Sequence, residues 1–76
     1  MQIDRRFIWD YEVPEEGFQD EAFQRWYVAR VLTRGSLADI HAVGVTTIRQ
    51  KLSTLVLPAR IQKFWEFYFT LLDRAA

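Results

Sequence analysis

The feature that most constrains this chain is the run Phe64-Trp65-Glu66-Phe67-Tyr68-Phe69 near its end, preceded by Ile61 and followed by Leu71 and Leu72. Read as a helix, these apolar residues sweep about 200° of the circumference, whereas a surface helix needs an apolar stripe little more than about 100° wide. The surplus has to meet a second surface, either elsewhere in the chain or on a partner. Two further aromatic groups compete for the first role: Phe7, Trp9 and Tyr11, and Phe23, Trp26 and Tyr27. Each such ring buries roughly 150–250 Å² when it is covered, so twelve of them dominate any small core or interface.

The chain has 76 residues, enough for one domain. A domain this small hides only about 60% of the surface its unfolded chain exposes, so it gains from reinforcement. The sequence holds no cysteine, which rules out disulfides and thiolate zinc sites. No apolar run approaches the roughly 18 residues of a membrane span. The first residues, Met1-Gln2-Ile3-Asp4-Arg5-Arg6, lack the apolar stretch of a signal peptide. A soluble cytoplasmic protein is expected, off the membrane, reinforced by oligomerisation or a lasting partner.

The formal charge of zero divides unevenly. Residues 1–21 carry seven acids (Asp4, Asp10, Glu12, Glu15, Glu16, Asp20, Glu21) against Arg5 and Arg6, and the remainder carries the compensating basic excess. Such asymmetry marks either an interaction tail or an acidic segment lying across the protein's own basic body.

The pattern predicts an all-α fold: a small four-helix domain over 18–76 with an extended aromatic N-terminal arm over 1–17. In the arm, Phe7, Trp9, Tyr11 and Val13 alternate with Ile8, Asp10 and Glu12, a period-two pattern that predicts extended backbone with one apolar face. Pro14 and Gly17 punctuate it. The first helix starts near Asp20 and stops at Gly35, read as a left-handed cap. Its apolar residues run almost all the way round, as in a central helix. Ser36 and Asp39 predict a capping box for a short second helix with Leu37, Ile40 and Val43 on its buried edge and Gly44 at its end. A third helix is expected with Thr46 or Thr47 as N-cap and Ile48, Leu52 and Leu55 on one face. Pro58 suits the first position of the fourth helix, expected to reach about Arg74.

Residues 36–55 outline a helix-turn-helix. In a DNA-binding version Arg49, Gln50 and Ser53 face base edges, while Lys51, Arg34, Arg60 and Lys63 approach phosphates. The alternative is an amphipathic helix with a solvated polar side, and a pI of about 6.6 is low for a nucleic-acid module. In the arm, Trp9, Asp10, Tyr11 and Glu12 form a candidate protein-contact set, its rings acting as anchors and its acids pairing with a basic partner. The competing reading has the arm's rings covering the surplus arcs of the first and fourth helices. His41 is the only histidine, and no convergent ligands for a metal, cofactor or catalytic motif accompany it. An enzyme is not expected.

The segments Phe7-Ile8-Trp9-Asp10-Tyr11, Arg25-Trp26-Tyr27-Val28-Ala29-Arg30-Val31-Leu32, Gly35-Ser36-Leu37-Ala38-Asp39-Ile40 and Phe64-Trp65 together resemble a family of short bacterial proteins. These look like the small partners of abortive-infection nucleotidyltransferase toxins, and the likeness spans about residues 7–72. The resemblance implies an antitoxin-like role: binding and silencing such a toxin, and an operator DNA as well. On this reading the acidic, aromatic arm occupies the toxin's basic groove. A DNA-binding regulator and a plain homodimer through the fourth helix stand as the other readings.

Overall fold

The computed structural model describes residues 2–75. Met1 of the expected arm and Ala76 of the expected helical domain therefore lie outside the described residues. The fold is all-α, with four helices: α1 (Glu21–Arg34), α2 (Leu37–Val43), α3 (Val45–Lys51) and α4 (Ala59–Ala75). Among the described residues there is no strand.

Local chemistry sets most boundaries. Asp20 caps α1, its carboxylate accepting from the Phe23 N–H at 2.9 Å. Ser36 and Asp39 form the capping box of α2, with the Ser36 hydroxyl accepting from the Asp39 N–H and the Asp39 carboxylate from the Ser36 N–H. Gly44, at φ +94°, turns the chain between α2 and α3. Ile48, Leu52 and Leu55 are all buried, as their spacing predicts. α3 tightens into a 3-10 turn at Leu52–Thr54. The Pro58 carbonyl accepts from the Gln62 N–H, which places the proline just before the first residue of α4.

Three local expectations change. Gly35 is extended (φ −82°, ψ 162°), not left-handed. Its glycine identity answers a close approach instead, since a Cβ there would lie 2.6 Å from the Val31 carbonyl oxygen. α3 begins at Val45, so neither Thr46 nor Thr47 caps it: one residue in positive φ reverses the chain, and the Ile48 N–H bonds to the Gly44 carbonyl at once. Leu37 is not part of the buried edge of α2 but is 86% exposed.

The leading segment lies over the helices without being extended. It makes 3-10 turns at Arg5–Phe7 and Glu15–Gln19, and the Tyr11 N–H bonds to the Ile8 carbonyl. These turns abolish the period of two. Ile8, expected on the polar side, enters the core at 2% exposure, while Trp9 points out at 80%. Ile8 joins Tyr27, Val28, Val31 and Leu32 of α1, Val43, Ile48, Leu52, Leu55, and Trp65 and Phe69 of α4 in one cluster. The described residues include no buried polar or charged side chain.

The segment is tied to α1 and α2 by polar bonds as well. The Asp4 N–H donates to the Tyr27 hydroxyl at 2.8 Å, Arg6 reaches Asp39 at 2.6 Å, and Arg30 holds Asp10 at 2.7 Å. The molecule measures 41 × 22 × 20 Å, with a radius of gyration of 12.8 Å. A compact domain of this length would have about 11 Å. Every residue from Thr70 to Ala75 is exposed, so α4 ends away from the core.

Candidate protein-interaction surface

On α4 the core takes Trp65 and Phe69, with Ile61 and Tyr68 half-buried beside them. The opposite flank stays uncovered: Phe64 is 57% exposed, Phe67 59% and Leu71 48%. At helical spacing these three lie within about 60° of one another, a continuous strip bordering the core face. The question set by the sequence was whether the leading segment shields the surplus of α4. It does not. The segment's rings meet α1: Phe7 against Tyr27, Tyr11 against Trp26, and Phe18 stacked on Phe23 at 5.5 Å. Among the described residues, the ring pairs of α4 are all within α4 itself.

Where the strip meets α2, a groove of about 630 Å³ opens. Leu32, Leu37, Ile40, Ile61, Phe64 and Tyr68 form its apolar walls, with Arg60 and His41 as the charged or titratable groups and no acid among the lining residues. Leu37 thus serves the groove and not the core. The chain exposes 5579 Å² in all, whereas a compact monomer of 9.1 kDa exposes roughly 4,900 Å². The surplus of about 700 Å² is close to the ~800 Å² that each partner contributes to a standard protein interface.

Charges sort in the same direction. Arg5, Arg6, Arg25, Arg30, Arg49 and Lys51 each hold an acid. Among the described residues, the bases without an ion pair are Arg34, Arg60, Lys63 and Arg74, three of them on α4. Arg60 extends the apolar strip, and Lys63 and Arg74 flank its solvent side at helical spacing.

The arm's candidate contacts divide. Trp9 is the most exposed aromatic residue, Tyr11 is 55% exposed, and Glu12 is exposed and in no ion pair. Asp10, itself exposed, pairs with Arg30, whose guanidinium also lies 5.4 Å from the Tyr11 ring and 5.1 Å from the Trp26 ring. That bond holds the Asp10 carboxyl below the usual aspartate range. Hydrogen bonds from Arg6 do the same for Asp4, those from the Ser36 backbone and hydroxyl, with Arg6, for Asp39, and that from Lys51 for Glu21.

The DNA-contact candidates also divide. Arg49 is bonded to Asp73 and lies over the Phe69 ring, and Lys51 is bonded to Glu21 with its side chain only 14% exposed. Gln50 and Ser53 are exposed. A single residue joins α2 to α3, shorter than the three- or four-residue turn of the DNA-binding motif. No cluster of three His, Asp or Glu side chains able to hold a metal ion occurs among the described residues, and none of their helices is long and apolar enough to cross a membrane.

Leu37, Phe64, Phe67 and Leu71 were not legible as contact residues because composition cannot say which part of a wide apolar arc the core will take. The width of that arc was the one available signal. Comparison with protein-family models, curated proteins and solved structures found no match to the chain.

Proposed function

We propose that this chain is a non-enzymatic interaction module, antitoxin-like, that binds and neutralises a nucleotidyltransferase-type toxin through the α2–α4 face. The observation that carries the reading is the uncovered strip Phe64, Phe67 and Leu71 beside an apolar groove, in a chain whose leading segment is engaged elsewhere. Buried rings at the centre of such a patch slow release, and the unpaired bases around it speed encounter with an acidic counterpart. The choice of a nucleotidyltransferase-type toxin as partner rests on the sequence resemblance alone. Trp9, Tyr11 and Glu12 offer a second contact, with Asp10 beside them held by its bond to Arg30. The DNA-regulator reading draws less support, because Arg49 and Lys51 are already engaged by acids.

The test is the affinity of the purified chain for the nucleotidyltransferase encoded beside it. Phe67→Asp is expected to weaken binding by about 30-fold or more, the scale of an interface hot spot. Unchanged affinity in a folded variant contradicts the reading, as does the lack of a nucleotidyltransferase in that position.

A further inference from the structure

The two exposed aromatic surfaces of this molecule are opposite in form and charge. One is a knob: Trp9, 80% exposed, beside Tyr11. Among the described residues, the acids outside ion pairs are Glu12, Glu16, Asp20 and Glu66, of which Glu12 and Glu16 lie in the leading segment and Glu66 on α4. The other surface is a hollow, the groove of about 630 Å³ between α2 and α4, with Arg60 at its wall, Lys63 one helical turn from Phe67, and no acid lining it.

A chain cannot close this pair within itself in the fold described. Ile8 is locked in the core, and the Asp4–Tyr27, Arg6–Asp39 and Arg30–Asp10 bonds hold the segment on α1 and α2. No residue of the leading segment lines the groove. The occupant has to come from another molecule.

We propose that the α2–α4 groove receives Trp9 and Tyr11 of a second copy of this chain, with that copy's Glu12 and Glu16 set against Arg60 and Lys63. Three observations support the second copy. The apolar knob fits an apolar hollow of adequate volume. The unpaired acids Glu12 and Glu16 belong to the segment that bears the knob, and the unpaired bases Arg60 and Lys63 to the helix that walls the hollow. The surplus exposed area of about 700 Å² matches one side of a standard interface. A symmetric pairing of α4 with α4 is the less favourable geometry, because it sets Arg60, Lys63 and Arg74 of both copies together with Glu66 as the one acid of that helix outside an ion pair, whereas the head-to-tail contact adds Glu12 and Glu16. The contact is head-to-tail, so it builds open chains or closes into a ring. It uses the same α2–α4 face as the proposed toxin contact, so the two occupants compete there, but its test needs only the protein itself.

Sedimentation velocity on the full chain, between about 10 and 500 µM in about 50 mM salt, tests it. The sedimentation coefficient is expected to rise with concentration, and to rise less in about 500 mM salt, where the Debye length is short. Trp9→Asp removes the knob and Phe64→Asp spoils the hollow. Each variant alone is expected to stay monomeric, with association weakened by about 30-fold or more. Mixed together, they are expected to form a one-to-one dimer that grows no further, because each supplies the surface the other lacks. Helicity measured by circular dichroism confirms that each variant folds. A wild-type chain that is monomeric throughout overturns the proposal, and so does a mixture that stays monomeric. A Trp9→Asp variant that still self-associates overturns it in favour of an α4–α4 contact.

Discussion

The leading segment and α4 are both rich in aromatic residues, four and five respectively, yet the segment's backbone is bound to its own fold, with Trp9 left outside, while a whole flank of α4 stays uncovered. The segment over residues 2–19 has anchors of several kinds: Ile8 in the core, a backbone bond to Tyr27, two ion pairs that reach α1 and α2, and ring contacts along α1. α4 is held by one apolar face, Trp65 and Phe69, and by the Arg49–Asp73 pair. Aromatic content alone therefore says little about where a ring ends up. Polar ties decide which aromatic surface the core claims, because they fix the backbone on which the rings stand. The helix lacking such ties over most of its length retains its greasy flank for something else.

The sharpest way to break this contrast is a matched set of substitutions within α4 and the leading segment. Trp65→Ala is expected to destabilise by about 3–5 kcal/mol and Ile8→Ala by about 2–5 kcal/mol, as large-to-small changes in a packed core do. Phe67→Ala is expected to change stability by no more than about 0.5 kcal/mol, as at an ordinary surface site. Urea unfolding monitored by helicity measures all three. A Phe67→Ala loss comparable to that of Ile8→Ala would mean that the strip is already covered.

A smaller effect concerns pH. Asp4, Asp10 and Asp39 have folded-state values below the ordinary aspartate value of 3.8, held down by Arg6, by Arg30, and by Ser36 with Arg6. A carboxyl depressed on folding stabilises the native state above its unfolded value, and that contribution fades as pH falls through the lower folded value. Stability is thus expected to be flat with respect to these groups from neutral pH to about 5, and to fall below about 4. Hydrogen exchange should show the leading segment loosening before the junction of α1 and α4, because the depressed acids are concentrated at its contacts. Simultaneous loosening of both regions would remove the distinction.

Much of the helical plan was readable in the sequence because short-range chemistry dictates it. Asp20, the Ser36–Asp39 box and the spacing of Ile48, Leu52 and Leu55 each act within a turn or two of helix. The leading segment was misread for a physical reason: alternation signals a strand only if nothing closes local turns, and here the Ile8 N–H bonds to the Arg5 carbonyl and the Tyr11 N–H to the Ile8 carbonyl. Those bonds send Ile8 inward and Trp9 outward. Gly35 was the right stopping point for the wrong cause, a close contact with Val31 in place of a left-handed turn. The groove depended on how α2 and α4 stand relative to one another, a long-range relation that no local pattern encodes.

The most direct test of the uncovered flank is solvent paramagnetic relaxation by NMR on the dilute, monomeric chain. The account predicts strong broadening of the side-chain signals of Phe64, Phe67 and Leu71, comparable to that of Trp9, with Ile8, Val28 and Ile48 protected. Protection of the α4 strip to the level of Ile8, together with proximity signals linking it to residues 2–19 of the same molecule, would contradict the account.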